Sequence, residues 1–202
     1  DPVLYARVNV TGTVNLLEAC RSRGVRHFVF ASSSSVYGNR DRVPFSEDDP
    51  VDRPVSPYGA TKRVGERVLA LYHRLYGFEC AALRFFTAYG PRQRPDMAIH
   101  KFAARIDRGL EIPVFGDGTS ARDYTYIGDI VAGVRSAMDF QGGFEVFNLG
   151  NAHTLSLADL VARIESGLGR KARVRSLPDA PGDVRITSAD LASHGTGHRR
   201  ER

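Results

Sequence analysis

Short apolar runs alternate with stretches of helical periodicity along most of this chain, and that alternation leaves few folds open. Residues 26–31, 78–85, 112–115 and 144–149 are rich in Val, Phe, Ile and Ala. Such runs read as strands buried on both faces. Between and around them lie segments with apolar residues three and four apart: 2–23, 58–76, 97–108, 127–138 and 157–168. These read as helices. Gly24 and Gly77 are the expected stops of the first two. Residues 39–55 carry Pro44, Pro50 and Pro54 and read as a polar loop, and Gly116-Asp117-Gly118 as a tight turn. Strands and helices in alternation build a parallel sheet with helices packed on it.

Within that frame the stretch Ser56-Pro57-Tyr58-Gly59-Ala60-Thr61-Lys62 carries chemistry. Ser56 and Pro57 suit a helix N-terminus. Tyr58 and Lys62 are four apart, so they share one helix face. A free tyrosine has a pKa of about 10 and is a poor base at neutral pH. An ammonium nearby favours the phenolate and lowers that value. A tyrosine tuned in this way takes a proton from a hydroxyl and returns it. The pair alone is weak evidence, because a solvated helix face carries such pairs by chance. Upstream, however, the apolar run ends in Ala31-Ser32-Ser33-Ser34-Ser35-Val36-Tyr37-Gly38. Small hydroxyl residues then lie at the carboxyl end of a parallel strand, where open α/β sheets bind ligands.

These motifs resemble those of the extended short-chain dehydrogenase/reductase superfamily, in its NAD-dependent epimerase/dehydratase branch. The resemblance continues with Asn9 to Ala19, with Leu83-Arg84-Phe85-Phe86-Thr87-Ala88-Tyr89-Gly90-Pro91 and with Arg94-Pro95-Asp96-Met97. It continues with Val114 to Gly118, Arg122 to Ile127, Phe147 to Gly150 and Pro181-Gly182-Asp183. It covers nearly all of residues 1–190, and the ordered set is specific where no single motif is. It implies a Rossmann-type parallel sheet with a small mixed α/β substrate-binding lobe. Residues 1–150 are expected to form a partial NAD-binding domain, interrupted at about 90–126 by part of that lobe. Residues 151–192 would supply the rest of it, and 193–202 a polar basic tail.

The resemblance also assigns roles. Tyr58 is the expected acid/base on a sugar hydroxyl, and Lys62 lowers its pKa and bonds the nicotinamide ribose. Ser33 is expected to bridge sugar and tyrosine, although in a run of four serines the assignment can slip by one. Asn9 and Phe85 fall on the cofactor side. Thr87, Arg94, Phe115, Arg122 and Arg185 fall on the substrate side. Arg122 is expected to clamp a diphosphate, since a guanidinium fork matches phosphate oxygens. Arg185 is a second phosphate candidate, Phe115 a neighbour of the uracil, and Arg94 a partner for a substrate carboxylate. The expected cofactor is NAD.

The branch starts by oxidising the C4 hydroxyl of a nucleotide sugar. The 4,6-dehydratases then use an Asp-Glu pair just before Val-Tyr-Gly, and uronate decarboxylases a glutamate there. This chain has Ser34-Ser35. Without an acid at that position, the simplest outcome is return of the hydride to the other face of the 4-keto sugar, which is 4-epimerisation. UDP-glucose/UDP-galactose is the leading pair, and UDP-glucuronate/UDP-galacturonate is close behind. A dehydratase or reductase of the same superfamily and a catalytically dead fragment are the alternatives. The last arises because the family's Gly-x-x-Gly-x-x-Gly turn and acidic ribose ligand have no counterpart here, and the chain reads as a member without most of the first half of its nucleotide-binding domain. After Leu191 the pattern also departs from the family, as a shift of reading frame near residue 192 would produce.

Composition narrows the field further. The chain has 202 residues, a net charge of +5 and 42% hydrophobic residues. That is a globular composition, and no run approaches the length of a membrane span. Arginines are scattered and not interleaved with aromatics, which argues against nucleic acid. The six histidines show no ligand spacing, so no metal is expected. Cys20 and Cys80 read as core thiols of a cytoplasmic protein. The expected partners are a UDP-sugar and a second copy, joined through a four-helix bundle of the 2–23 and 58–76 helices.

Overall fold

The computed structural model describes residues 1–40, 42–178 and 184–192. Pro181-Gly182-Asp183 and the tail at 193–202 lie outside the described residues. The first helical stretch comprises α1 (Pro2–Tyr5), a π-helical turn (Ala6–Thr11) and α2 (Gly12–Ser22). Asp1 caps it, its carboxylate accepting from the backbone N–H groups of Val3 and Leu4. The widened turn is the one departure from a regular helix over 2–23. In it the Asn9 carbonyl accepts from the Thr13 hydroxyl at 2.7 Å.

A three-stranded parallel sheet follows, built from β1 (His27–Ser33), β2 (Glu79–Phe85) and β6 (Phe144–Leu149) in the order β1-β2-β6. Between β1 and β2 come a 3-10 turn (Ser34–Tyr37) and the long helix α3 (Pro57–Tyr76). Ser56 caps α3 by accepting from the Gly59 N–H at 3.0 Å. Gly77 ends it at φ +66°, where a Cβ would be strained. Alternate residues of β2 face opposite sides. Cys80 and Ala82 pack with Leu17, Phe30, Leu69 and Phe78 under α2 and α3. Ala81 and Leu83 pack with Ala137 under α5 (Ile127–Met138) on the other face. Cys80 is buried and Cys20 half-buried, and neither is in a disulfide.

A second core sits beyond the strand ends. It joins α4 (Ala98–Asp107), β4 (Glu111–Phe115), α6 (Leu157–Leu168) and β8 (Arg173–Leu177), with β4 and β8 paired in parallel. Phe102, Ile106, Ile112 and Val114 are its buried residues. A small sheet lies between the two cores: β3 (Thr87–Tyr89) pairs with β5 (Ala121–Tyr126) in parallel, and β5 with β7 (Thr154–Ser156) antiparallel. The sequence pattern indicates neither β3, β5, β7 nor β8. Among the described residues no helix is long and apolar enough to cross a membrane.

Candidate active site

The carboxyl ends of β1 and β2, the 3-10 turn and the first turns of α3 converge on one cleft of about 530 Å³. Ser33, Tyr58, Phe85, Thr87 and Arg94 line it, together with Ser34 and Ser35. A second cleft of about 310 Å³ holds Phe115 and Arg122 on its wall. Both include Thr87, Gln93 and Met97, so they form one trough from the serine turn to the second core. Sites for small ligands and cofactors span about 300–1,000 Å³, so the trough has room for an elongated ligand.

Tyr58 lies in the first turn of α3, its ring 5.7 Å from that of Tyr5. Lys62 follows one turn later. Its Nζ donates to the Ala31 carbonyl at 2.7 Å, and lies 5.0 Å from the Phe30 ring centre and 5.7 Å from that of Tyr58. Burial lowers the Lys62 pKa below the usual lysine value, since the charged form loses water. The close approach of α3 to the serine turn depends on Gly59. A Cβ there would stand 2.5 Å from the Ser35 carbonyl oxygen.

The serines divide their work. Ser32 is buried and donates to Glu66 Oε1 at 2.6 Å, so its hydroxyl is committed to the core. Ser33 faces the cleft. It donates to Ser35 Oγ at 3.1 Å and accepts from the Ser35 N–H at the same distance, capping the 3-10 turn. Arg94 is exposed and makes a forked pair with Asp96, at 3.1 and 2.8 Å. That pair holds Arg94 above and Asp96 below their usual pKa values.

Three of the expected residues stay off the trough wall: Lys62, Asn9 and Arg185. Asn9 donates to Thr61 Oγ1 at 3.0 Å and ties the π-helical turn to α3. Arg185 is exposed, and its carbonyl accepts from the Ala121 N–H at 2.9 Å and from the Arg122 guanidinium at 3.4 Å. Arg185 thus supports the strand that carries Arg122.

Sequence reasoning assigned no role to the buried polar groups beneath the site. Glu66 accepts from Arg84 Nε at 2.9 Å and Nη2 at 3.0 Å, and from Arg63 at 2.8 Å. Arg84 Nη1 donates to the Tyr37 hydroxyl at 2.9 Å, and Tyr37 to Asn148 Oδ1 at 2.7 Å. Burial alone would raise the Glu66 pKa, but the bonds and charge of Arg84, with Ser32 and Arg63, bring it below the usual value. Burial pushes Tyr37 up to about 12. Asp123, fully buried, accepts from the N–H groups of Asn151, Ala152 and Ala189 and from the Thr125 hydroxyl. A visible signal existed for one of these: Arg84 interrupts the apolar run that starts at Cys80.

The residues present fit the nicotinamide end of a dinucleotide. Tyr58 and Phe85 line a cleft at the carboxyl ends of parallel strands, and Lys62 stands one helical turn after Tyr58. Comparison with known proteins agrees. The chain is 42% identical to the UDP-glucuronate 4-epimerase of Thermodesulfobacterium geofontis, over 95% of this chain and 59% of that protein. It superimposes on the UDP-glucuronic acid 4-epimerase of Bacillus cereus, solved with UDP-glucuronic acid and NAD, with a TM-score of 0.88 and 37% identity. That match covers 93% of this chain and 60% of the other. The Thermus thermophilus UDP-glucose 4-epimerase, solved with NAD, matches with a TM-score of 0.88 and 33% identity. It is covered to 66%, and this chain to 96%. The chain thus spans roughly three fifths of these relatives. Residues 1–150 match the NAD dependent epimerase/dehydratase family, and the chain belongs to that family.

Proposed function

We propose that this chain carries the catalytic groups of an NAD-dependent UDP-sugar 4-epimerase whose preferred sugar is a uronate. The observation that carries the reading is Tyr58 on the cleft wall beside a serine turn that holds no carboxylate, with Lys62 Nζ 5.7 Å from its ring centre. Tyr58 takes the proton of the C4 hydroxyl as that carbon is oxidised, and returns it after inversion. The Lys62 ammonium, partly desolvated, lies 5.7 Å from the Tyr58 ring centre. Ser33 orients the hydroxyl. NAD, when bound, supplies the acceptor for the C4 hydride and gives it back to the opposite face. With serines at 34 and 35, the position where 4,6-dehydratases carry their Asp-Glu pair holds no carboxylate. Arg122 and Phe115 would receive the diphosphate and base, in a substrate lobe formed by about 90–126 and the chain after 150.

The uronate preference rests on the similarity to UDP-glucuronate 4-epimerases and on Arg94, a guanidinium already paired with a carboxylate at the cleft wall. UDP-glucose is the second reading, supported by the match to the Thermus enzyme. The test incubates the protein with NAD and either UDP-glucuronate or UDP-glucose, and separates products by anion-exchange chromatography. UDP-galacturonate without carbon dioxide or net NADH supports the reading. Carbon dioxide would mark a decarboxylase, and accumulating NADH a dehydrogenase.

A further inference from the structure

We propose that Glu66 and Arg84 are positioning residues: with Ser32, their buried ion pair fixes the rotation of α3 against β1. The inference rests on the reading that Tyr58 and Lys62 do the chemistry. A buried ion pair is a poor device for stability alone, because well-packed apolar residues of similar volume serve as well or better. Here the pair is fully buried, and its bonds run toward the site. Glu66 lies one turn beyond Lys62 on the same face of α3, and Ser32 follows Ala31 on β1. Two rungs therefore join consecutive strand residues to consecutive helix turns. Lys62 Nζ donates to the Ala31 carbonyl at 2.7 Å, and Ser32 Oγ donates to Glu66 at 2.6 Å. Turning α3 by one residue, about 100°, would break both rungs and carry Tyr58 off the cleft wall.

Arg84 extends the unit across the sheet. It grips Glu66 through Nε and Nη2, and its Nη1 reaches the Tyr37 hydroxyl at 2.9 Å. Its guanidinium also lies 4.8 Å from the centre of the Tyr37 ring. Tyr37 closes the turn that carries Ser34 and Ser35, and is anchored in its turn to Asn148 of β6. One ion pair thus sets the serine turn and the tyrosine helix relative to each other. Each partner sits next to, or one helical turn from, a residue of the site: Ser32 beside Ser33, Arg84 beside Phe85, Glu66 after Lys62.

The test replaces the pair together, Glu66→Met with Arg84→Met, which removes one charge of each sign. Lysines occur only at 62, 101 and 171, so [ε-13C]lysine labelling gives three NMR signals, and Lys62→Arg assigns the first. The expected variant unfolds cooperatively, but its Lys62 midpoint rises by about one pH unit as the amine gains water. Turnover of UDP-sugar falls about tenfold at unchanged KM. A folded variant with the wild-type Lys62 midpoint overturns the proposal. Should the double variant not fold, Ser32→Ala, which cuts one rung only, is judged by the same shift. A Lys62 shift in a protein whose wild type epimerises no UDP-sugar refutes the proposed function and leaves the positioning role standing.

Discussion

A phenol becomes useful as a base only if its anion is favoured, and two cations, Lys62 and Arg94, stand near Tyr58. Lys62 is held by the Ala31 carbonyl and the Phe30 ring, half out of water. Tyr58→Phe keeps the ring packing against Tyr5 and removes the proton carrier. Turnover is expected to fall by about 10²–10⁴, with the unfolding midpoint unchanged, as chromatography and thermal melts will read. Burial of the Lys62 ammonium also has a sign in stability. Its folded pKa is lowered, so between that value and the ordinary 10.5 the unfolded chain binds the extra proton, and stability rises with pH. Relative to Lys62→Met, the wild type is expected to gain stability from pH 7 toward pH 10 in urea titrations. Arg94→Ala tests sugar choice: KM for UDP-glucuronate is expected to rise about tenfold more than KM for UDP-glucose. At this scale the Tyr-x-x-x-Lys spacing and the serine run were readable, because helix periodicity alone puts 58 and 62 on one face. The Glu66–Arg84 pair was not, since 18 residues of sequence separate groups that only the packing of α3 on β2 brings together.

The helix α3, the serine turn and β1 meet in one close-packed corner. A Cβ at Gly65 would lie 2.4 Å from the Phe30 ring, and one at Gly59 2.5 Å from a backbone oxygen. In a free helix Gly→Ala gains about 1 kcal/mol, but forced overpacking costs about 1–3 kcal/mol, and here the obstacle is backbone that cannot swing aside. Gly59→Ala is therefore expected to lower stability in denaturant titrations and to lower turnover with it. The strands of this corner were legible because burial on both faces demands continuous apolar runs, as in β1, β2 and β6. The helices over 127–138 and 157–168 match their expected bounds, since amphipathic periodicity marks both ends. β3 and β7 are three residues each, too short to show any period. β5 and β8 carry Arg122, Asp123, Arg173 and Arg175 and are held by pairing with distant segments, which local composition does not report.

At the scale of the molecule, one trough runs from the serine turn to the second core, and Ser33 and Tyr58 stand on its wall. The same helices that frame the site leave apolar side chains in water: Val8 at 57%, Leu16 at 59%, Leu71 at 39% and Leu75 at 57% exposure. A second copy packed on that face would cover them in a four-helix bundle. Sedimentation equilibrium is expected to give a dimer for the wild type and a monomer for Leu16→Glu with Leu75→Glu. The family was legible because the motifs fall in order along the chain. The places of Asn9 and Arg185 were not, since both support neighbouring elements away from the trough wall through contacts that only the folded chain makes. The most direct test of C4 oxidation and return uses UDP-glucuronate deuterated at C4. If the hydrogen leaves as hydride and comes back to the other face while Tyr58 handles only the hydroxyl proton, the UDP-galacturonate formed keeps deuterium at C4, and Tyr58→Phe forms almost none. Product that has lost the label to solvent, or that forms at the wild-type rate without the Tyr58 hydroxyl, would contradict it.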